Sequence, residues 1–198
     1  NFRLTIDPEA DLPIWLAAIN DRMLRLAGAI ADGVFLTWCP PTEVQHKVDL
    51  VRAGAIEAGR DPSDIEVVLS FWGFEGNDDD VSIVRERCRR SVLAYAMVPT
   101  HQSAFLHAFP TLTEAAAAWE FGDRKKALDL TGDDVLEAMC PIGPPGVVSD
   151  RIHQYVAAGV DLPVVFLVGP GHSGPEPALQ TMRSTAAALA LAPDTSAI

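Results

Sequence analysis

The sequence is poor in basic residues and in cysteine, and it contains no long hydrophobic run. Lys and Arg number 15 against 27 Asp and Glu, so the formal net charge is -12. Nucleic acids and anionic membranes are bound mainly through Lys and Arg, and this imbalance therefore excludes both as main partners. No apolar segment approaches the roughly 20 residues that cross a bilayer. We therefore predict no transmembrane helix, and the sequence shows no secretory signal.

Cysteine is scarce and scattered, since Cys39, Cys88 and Cys140 form no CxxC pair. This spacing predicts neither a disulfide framework nor a structural zinc site, and it is typical of a reducing, cytoplasmic compartment. The five histidines include no i, i+4 pair of the kind that binds metal on a helix. We therefore predict no metal site.

The sequence also lacks the common catalytic signatures. It has no Gly-x-Ser-x-Gly, no P-loop and no convincing pair of acidic residues, so no catalytic residue is assigned. It lacks an initiator Met as well, beginning Asn1-Phe2-Arg3, and we expect a processed, trimmed or fragmentary chain. The 198 residues, 48% of them hydrophobic, suffice for one domain with a buried core.

Short apolar segments alternate with helical patterns along the chain. The segments with the length of buried strands are 14–17, 34–38, 65–71 and 164–168. Three of them show no polar alternation, which is typical of a parallel sheet covered on both faces. The predicted helices are 21–30, 42–58 (beginning with a capping box at Thr42), 80–97, 149–158 and 176–191. Strand alternating with helix predicts an α/β fold with a parallel sheet.

The number of strand–helix units is half of what a closed parallel barrel requires. A (β/α)8 barrel takes eight strands and about 250 residues, whereas four units are found here. A mainly helical stretch from about 99 to 142 precedes the last strand. We therefore predict that residues 1–198 form the C-terminal half of a (β/α)8 TIM barrel, with four parallel βα units and one helical insertion.

An ordered set of short motifs carries a resemblance to a known family. The segment from Leu12 to Trp38 has a Pro-aliphatic-aromatic strand ending in small residues, then a helix ending Ala-Gly-x-x-Ala-Asp-Gly, then a strand ending Thr-Trp. Later matches are 59–65 (GRDPSDI) and 157–160 (AAGV). This pattern resembles the luciferase-like family of flavin- and F420-dependent oxidoreductases, around and after their fifth barrel strand. Among its relatives, the chain looks most similar to enzymes that use the deazaflavin F420.

The resemblance implies a cofactor phosphate at the turn after the first strand. A helix N-terminus there binds anions through its free amides and its dipole. The implied contacts, mostly from the main chain, are Ala18, Ile19, Asn20 and Met23. F420-dependent relatives often have Gly-Pro where this chain has Asn20-Asp21, and the Asp21 carboxylate would repel a phosphate that faced it. The alternative is that Asn20-Asp21 only caps a helix.

Thr37 and Trp38 end the second predicted strand. Residues at the carboxyl ends of barrel strands face the active site, and the resemblance implies that this pair lies along the flavin or deazaflavin ring. The alternative is that Trp38 is a core aromatic residue under the loop that follows.

A competing signal lies near the C-terminus. Residues 169–174 match GxGxxG after a strand, but Pro170 lacks an amide donor and no later strand completes a dinucleotide-binding unit. A flexible active-site loop is the simpler interpretation, with His172 as a weak candidate for substrate contact.

The resemblance implies an oxidoreductase that uses F420, or alternatively FMN, for hydride transfer or monooxygenation of a small organic substrate. The resemblance also implies a homodimer. Two alternatives remain open. One is a truncated, non-catalytic module of the same fold that binds flavin or dimerises. The other is an independent four-stranded α/β domain that binds a phosphorylated ligand at residues 169–174.

Overall fold

A computed structural model describes residues 12–171 and 174–190 of the chain. Within them the strands are β1 (Trp15–Ala17), β2 (Gly33–Thr37), β3 (Glu66–Glu75), β4 (Ile142–Gly143) and β5 (Leu162–Leu167). All observed pairings are parallel. The α/β class is therefore confirmed, and the four predicted strands correspond to β1, β2, β3 and β5. The two-residue β4 was not predicted, because so short a segment has no periodicity of its own.

Helices follow the strands as the sequence predicts, with small changes at their ends. They are α1 (Asp21–Ile30), α2 (Pro41–Glu57), α3 (Asp78–Ala96), α4 (Pro99–Ala108), α5 (Leu112–Glu120), α6 (Arg124–Asp129), α7 (Asp133–Met139), α8 (Val147–Ala157) and α9 (Glu176–Ala188). The predicted insertion from about 99 to 142 contains α4 to α7. The predicted capping box at Thr42 is wrong, since α2 begins at Pro41 with Pro40 as an N-cap that makes no side-chain hydrogen bond. No helix in the described part is long and apolar enough to cross a membrane.

The strand order places β2 and β3 at the centre of the sheet. β1 pairs with β2, β2 with the first half of β3, and β5 with β3 from Val68 to Gly73. β4 pairs with Phe74 and Glu75 at the end of β3. Among the described residues, β1 and β5 each have one strand partner, so both are edge strands.

One face of the sheet is covered by α1, α2 and α8. Alternate residues of the central strands point to it, including Val34 and Leu36 of β2 and Val67 and Leu69 of β3. Two glycines bring α1 and α2 into backbone contact: a Cβ at Gly28 would lie 1.9 Å from the Val51 carbonyl oxygen, and a Cβ at Gly54 would lie 2.0 Å from that of Arg25. A second apolar cluster joins the end of β3 to α3 and the insertion.

The opposite face of the sheet is apolar but incompletely covered. Register places Ala17, Phe35, Val68 and Leu162 in one row across the four main strands. Val68 is buried at the centre, whereas Leu162 at the edge is 44% exposed. Phe166, which pairs with Trp72, is 51% exposed. The exposure therefore rises toward the edge strands.

Candidate functional site

A cavity of about 860 Å³ opens at the carboxyl edge of the sheet, where the loops after β1 and β2 face helix α4. Its lining includes Ile19, Asn20, Met23, Trp38, Lys47 and His107. In open and closed α/β sheets alike, ligands bind outside the carboxyl ends of the strands. The cavity therefore has the position and the size of a small-molecule site.

The N-terminus of α1 forms one wall of this cavity. Asn20 is the N-cap, and its side chain makes no capping hydrogen bond; its amide nitrogen Nδ2 instead donates to the Thr100 carbonyl of α4 at 3.1 Å. The main-chain amides of Met23 and Leu24 donate to the Asn20 carbonyl. In the described ranges, the amides of Asp21 and Arg22 have no acceptor, so this helix end retains free donors for an anion.

A buried lysine from α2 lies against the same loop. The Lys47 ammonium nitrogen Nζ donates to the Ile19 carbonyl oxygen at 2.8 Å, and the residue is only 9% exposed. It lies on the buried face of α2, one turn after Val44 and beside Val48 and Val51. A positive charge thus stands close to the residues that begin α1.

Trp38 adopts a backbone conformation that is unfavourable for a bulky residue. Its φ is 50°, in the left-handed region, which costs about 1–2 kcal/mol for a residue with a Cβ. Such strain persists only where the surroundings enforce it, and it concentrates at functional sites. The ring is half-buried and packs on Trp72, with centroids 5.1 Å apart, and on Tyr95, at 4.6 Å.

The aromatic row continues into the insertion. Tyr95 stacks on the His101 ring, with centroids 6.0 Å apart and planes 5° apart. The buried His101 Nδ1 has no hydrogen-bond partner among the described residues. Trp38 and the start of α4 are therefore joined by continuous ring packing.

A buried hydroxyl supports the loop after Trp38. The Tyr155 hydroxyl donates to the Cys39 carbonyl oxygen at 2.9 Å. Burial raises the pKa of Tyr155 to about 12 and the pKa of the Cys39 thiol to about 12. Both groups are therefore neutral at physiological pH, and the Cys39 thiol is not an activated nucleophile.

The cavity brings together four of the six residues assigned to cofactor binding: Ile19, Asn20, Met23 and Trp38. Ala18 is buried just before them, and Thr37 lines a separate small crevice with Trp72. Sequence reasoning missed Lys47 and the α4 residues. Lys47 could have been found from its place on an otherwise apolar helix face. The α4 residues could not, since they lie about 80 positions away in the chain.

The loop at residues 169–174 is the other candidate site in the sequence. In the 169–174 loop, Gly169 accepts a hydrogen bond from Arg87 through its carbonyl, and Gly171 and Gly174 have positive φ. His172 lies outside the described residues. The described residues contain no group of three or more His, Cys, Asp or Glu side chains that could hold a metal ion.

Comparisons with known proteins identify the family of this chain. The profile of the family described as "Luciferase-like monooxygenase" matches residues 1–162. A 5,10-methylenetetrahydromethanopterin reductase from Methanopyrus kandleri is 30% identical over 159 residues, which are 79% of this chain and 45% of that protein. A phthiodiolone/phenolphthiodiolone dimycocerosates ketoreductase from Mycobacterium sp. (strain JLS) is 40% identical over 68 residues, 34% of this chain and 18% of that one.

Solved structures show the same fold over a similar range. The coenzyme F420-dependent tetrahydromethanopterin reductase from Methanopyrus kandleri aligns with a TM-score of 0.67 and 26% identity, covering 87% of this chain and 49% of that one. An F420-dependent secondary alcohol dehydrogenase, solved with an F420–acetone adduct, aligns with a TM-score of 0.59 and 17% identity, covering 83% and 46%. The chain thus spans about half the length of the relatives it matches.

Proposed function

The chain belongs to the luciferase-like monooxygenase family, and we propose that it forms the second half of a (β/α)8 barrel in an oxidoreductase that uses F420, with FMN as the alternative cofactor. The reaction class is hydride transfer or monooxygenation of a small organic substrate. The observation that carries the cofactor proposal is the cavity at the carboxyl edge of the sheet, where the free amides of α1 and the strained Trp38 meet.

The proposed half-barrel is supported by the unpaired edges of the sheet and by its exposed apolar face. A closed barrel has no edge strands, whereas β1 and β5 each keep one unpaired edge in the described part. The apolar face away from α1, α2 and α8 is exposed at Leu162 and Phe166. Four further βα units would pair both edges and fill this face. The matched relatives, about twice as long as this chain, have the residues to do so.

The choice of F420 over FMN is supported by two relatives that match most of this chain. The structure that aligns at 26% identity is described as a coenzyme F420-dependent tetrahydromethanopterin reductase, and the 30% identical relative is named a 5,10-methylenetetrahydromethanopterin reductase from the same organism. When bound, F420 or FMN supplies the hydride chemistry on its own ring.

This chain's residues would bind and orient the cofactor. The free amides of Asp21 and Arg22 would hold its phosphate at the α1 N-terminus. Trp38, with Trp72 behind it, would pack against the ring and exclude water from one side. The Asp21 side chain is exposed, so its carboxylate can remain in solvent while the amides face the cavity. We assign no proton-transfer residue.

Binding of the two cofactors to the complete protein tests the proposal. F420 or FMN should quench the tryptophan fluorescence of the wild type. Trp38→Phe should reduce that quenching and weaken binding about two- to tenfold, because an aromatic contact is worth about 0.5–1.5 kcal/mol beyond area burial. Trp119→Phe is the matched control, since this half-buried Trp lies under Arg124 and away from the cavity.

The outcomes separate the alternatives. If Trp38→Phe retains wild-type affinity and quenching with both cofactors, Trp38 is a core residue. Binding without turnover in a native chain of only 198 residues would favour the non-catalytic module. Failure to bind either cofactor, with phosphorylated ligands held at residues 169–174, would favour the independent domain. The homodimer is also a proposal, and light scattering on the complete protein would test it.

A further inference from the structure

Lys47 carries a buried charge that no described carboxylate neutralises. Its ammonium group is within 4 Å of no described Asp or Glu, and its one hydrogen bond is to the neutral carbonyl of Ile19. A buried charge is costly unless it is paired and fully hydrogen-bonded. Two of the three ammonium donors remain without a described partner. The local energetics therefore favour an anion beside Lys47.

The other charges that line the cavity are better hydrated. Asp21 and Arg22 are exposed, and Glu43, one turn before Lys47 on α2, is partly exposed. Solvent screens these groups strongly and Lys47 weakly. Electrostatic recognition inside the cavity is therefore dominated by Lys47, although Asp21 and Glu43 balance the formal charge.

Lys47 and the α1 N-terminus converge on one short loop. The ammonium contacts the carbonyl of Ile19, the residue directly before the N-cap Asn20, and the unpaired amides of Asp21 and Arg22 follow. A helix end and a buried cation on different helices thus line the same cavity. Such a pair of donors suits a phosphate group.

We propose that Lys47 is a specificity residue, by which this chain selects phosphorylated over phosphate-free forms of its cofactor. The inference rests on the proposed function, because it takes the ligand of this cavity to be F420 or FMN. It goes beyond that function by assigning the phosphate's charge partner to α2 rather than to the α1 amides alone.

The test measures affinity for matched ligand pairs in the complete protein. FMN is compared with riboflavin, and F420 with its phosphate-free deazaflavin core, by fluorescence titration. Lys47→Gln keeps a donor but removes the charge. It should weaken binding of the phosphorylated ligands about ten- to a hundredfold, as expected for a charge-assisted hydrogen bond, and change the phosphate-free ligands less than about twofold. Lys47→Arg should restore most of the preference.

Arg60→Met is the matched control. The Arg60 Nη1 donates to the Gly28 carbonyl oxygen at 2.7 Å, so it too is a cation on a backbone carbonyl, in this case one within α1, but it does not line the cavity. Its loss should leave the ratio of affinities unchanged. If Lys47→Gln weakens both members of a pair equally, or weakens neither, the proposal is overturned and Lys47 only braces the loop.

The outcomes also distinguish this inference from the proposed function. Wild-type protein that binds neither F420 nor FMN overturns both. Wild-type protein that binds a cofactor, with an unchanged ligand ratio in Lys47→Gln, overturns only the role of Lys47. If Lys47→Gln fails to fold, inorganic phosphate decides the matter. At low millimolar concentration, where its general stabilising effect is negligible, it should raise the melting temperature of the cofactor-free wild type above that in sodium chloride of equal ionic strength. Equal melting temperatures would overturn the proposal.

Discussion

The hydroxyl of Tyr155 donates a 2.9 Å hydrogen bond to the carbonyl oxygen of Cys39, which joins α8 to the loop after β2. Both residues are buried, and the Tyr155 ring packs on Phe71 of β3 with centroids 5.1 Å apart. Cys39 directly follows Trp38, whose φ is positive. The loop that presents Trp38 to the cavity is therefore fixed from the side of the sheet that faces the helices.

Tyr155→Phe should lower the free energy of unfolding by about 1–3 kcal/mol, because it leaves the buried Cys39 carbonyl without a partner. It should also weaken cofactor binding, since the Trp38 backbone loses support. Urea unfolding and cofactor titration of the complete protein would measure both effects. Tyr95→Phe is the control. Tyr95 is 40% exposed, so the free energy of unfolding of this variant should differ from that of the wild type by no more than about 0.5 kcal/mol. Equal stability of the two variants would contradict the prediction.

Glu75 is a buried carboxylate that caps α8. Its Oε1 accepts hydrogen bonds from the amides of Gly146 at 2.9 Å and Val148 at 3.1 Å, and its Oε2 accepts one from the Ser184 hydroxyl. Glu75→Gln should destabilise the protein by about 1–3 kcal/mol, because charge-assisted bonds at a helix N-terminus are lost. Thermal and urea unfolding would measure this. Glu66→Gln on the same strand should have little effect, and a comparable loss there would refute the assignment.

Asp133 provides a pH-dependent contribution to stability. Hydrogen bonds from Arg89 and Arg85 lower its pKa below the ordinary value of 3.8. The folded state therefore binds this proton less readily than the unfolded state, and the contribution is present above 3.8 and lost as the pH falls through the lowered pKa. Asp133→Asn should cost less than about 1 kcal/mol at neutral pH, because the carboxylate is exposed, and nothing at low pH.

Urea unfolding at several pH values checks this prediction. Asp129→Asn removes an exposed carboxylate that has no ion pair among the described residues, and is the control. A difference between wild type and Asp133→Asn that stays constant down to strongly acidic pH would show that the arginine pairing is not its cause.

Gly28→Ala tests the backbone contact between α1 and α2. The new Cβ would lie 1.9 Å from the Val51 carbonyl oxygen and 2.9 Å from the Ala55 nitrogen, so the helices must separate. We expect a loss of more than about 3 kcal/mol or failure to fold. Gly169→Ala, with open space around its Cβ, should change stability by less than about 1 kcal/mol. A well-folded Gly28→Ala of wild-type stability would contradict the close contact.

Most of the fold could be predicted from the sequence because the patterns that specify its strands and helices are local. The apolar segments around Val34–Thr37 and Val67–Phe71 and the helix that ends near Gly59 are set by neighbours along the chain, and their positions are confirmed within a few residues. The ends were less predictable. β3 extends to Glu75 because its last residues pair with β4, a contact across about 70 residues.

The site was predictable only in part, for the same reason. Ile19 to Met23 and Trp38 follow strands, so the rule about carboxyl ends locates them. The wall supplied by α4 is joined to this loop by the hydrogen bond between Asn20 and Thr100, and no pattern in the sequence encodes that contact. The φ of 50° at Trp38 could not be predicted either, since nothing in Thr-Trp-Cys-Pro indicates a left-handed backbone conformation.

The bond from the Asn20 side chain to the Thr100 carbonyl has a thermodynamic consequence. It ties the first turn of α4, in the insertion, to the loop that begins α1. A molecule that shifts α4 as it binds would also strain or release that loop. It would therefore change the affinity of the cavity for a second ligand. Linkage makes the effect reciprocal: whatever factor the first ligand imposes on the second, the second imposes on the first. Two ligands at this edge of the sheet would then change each other's affinity without being in contact.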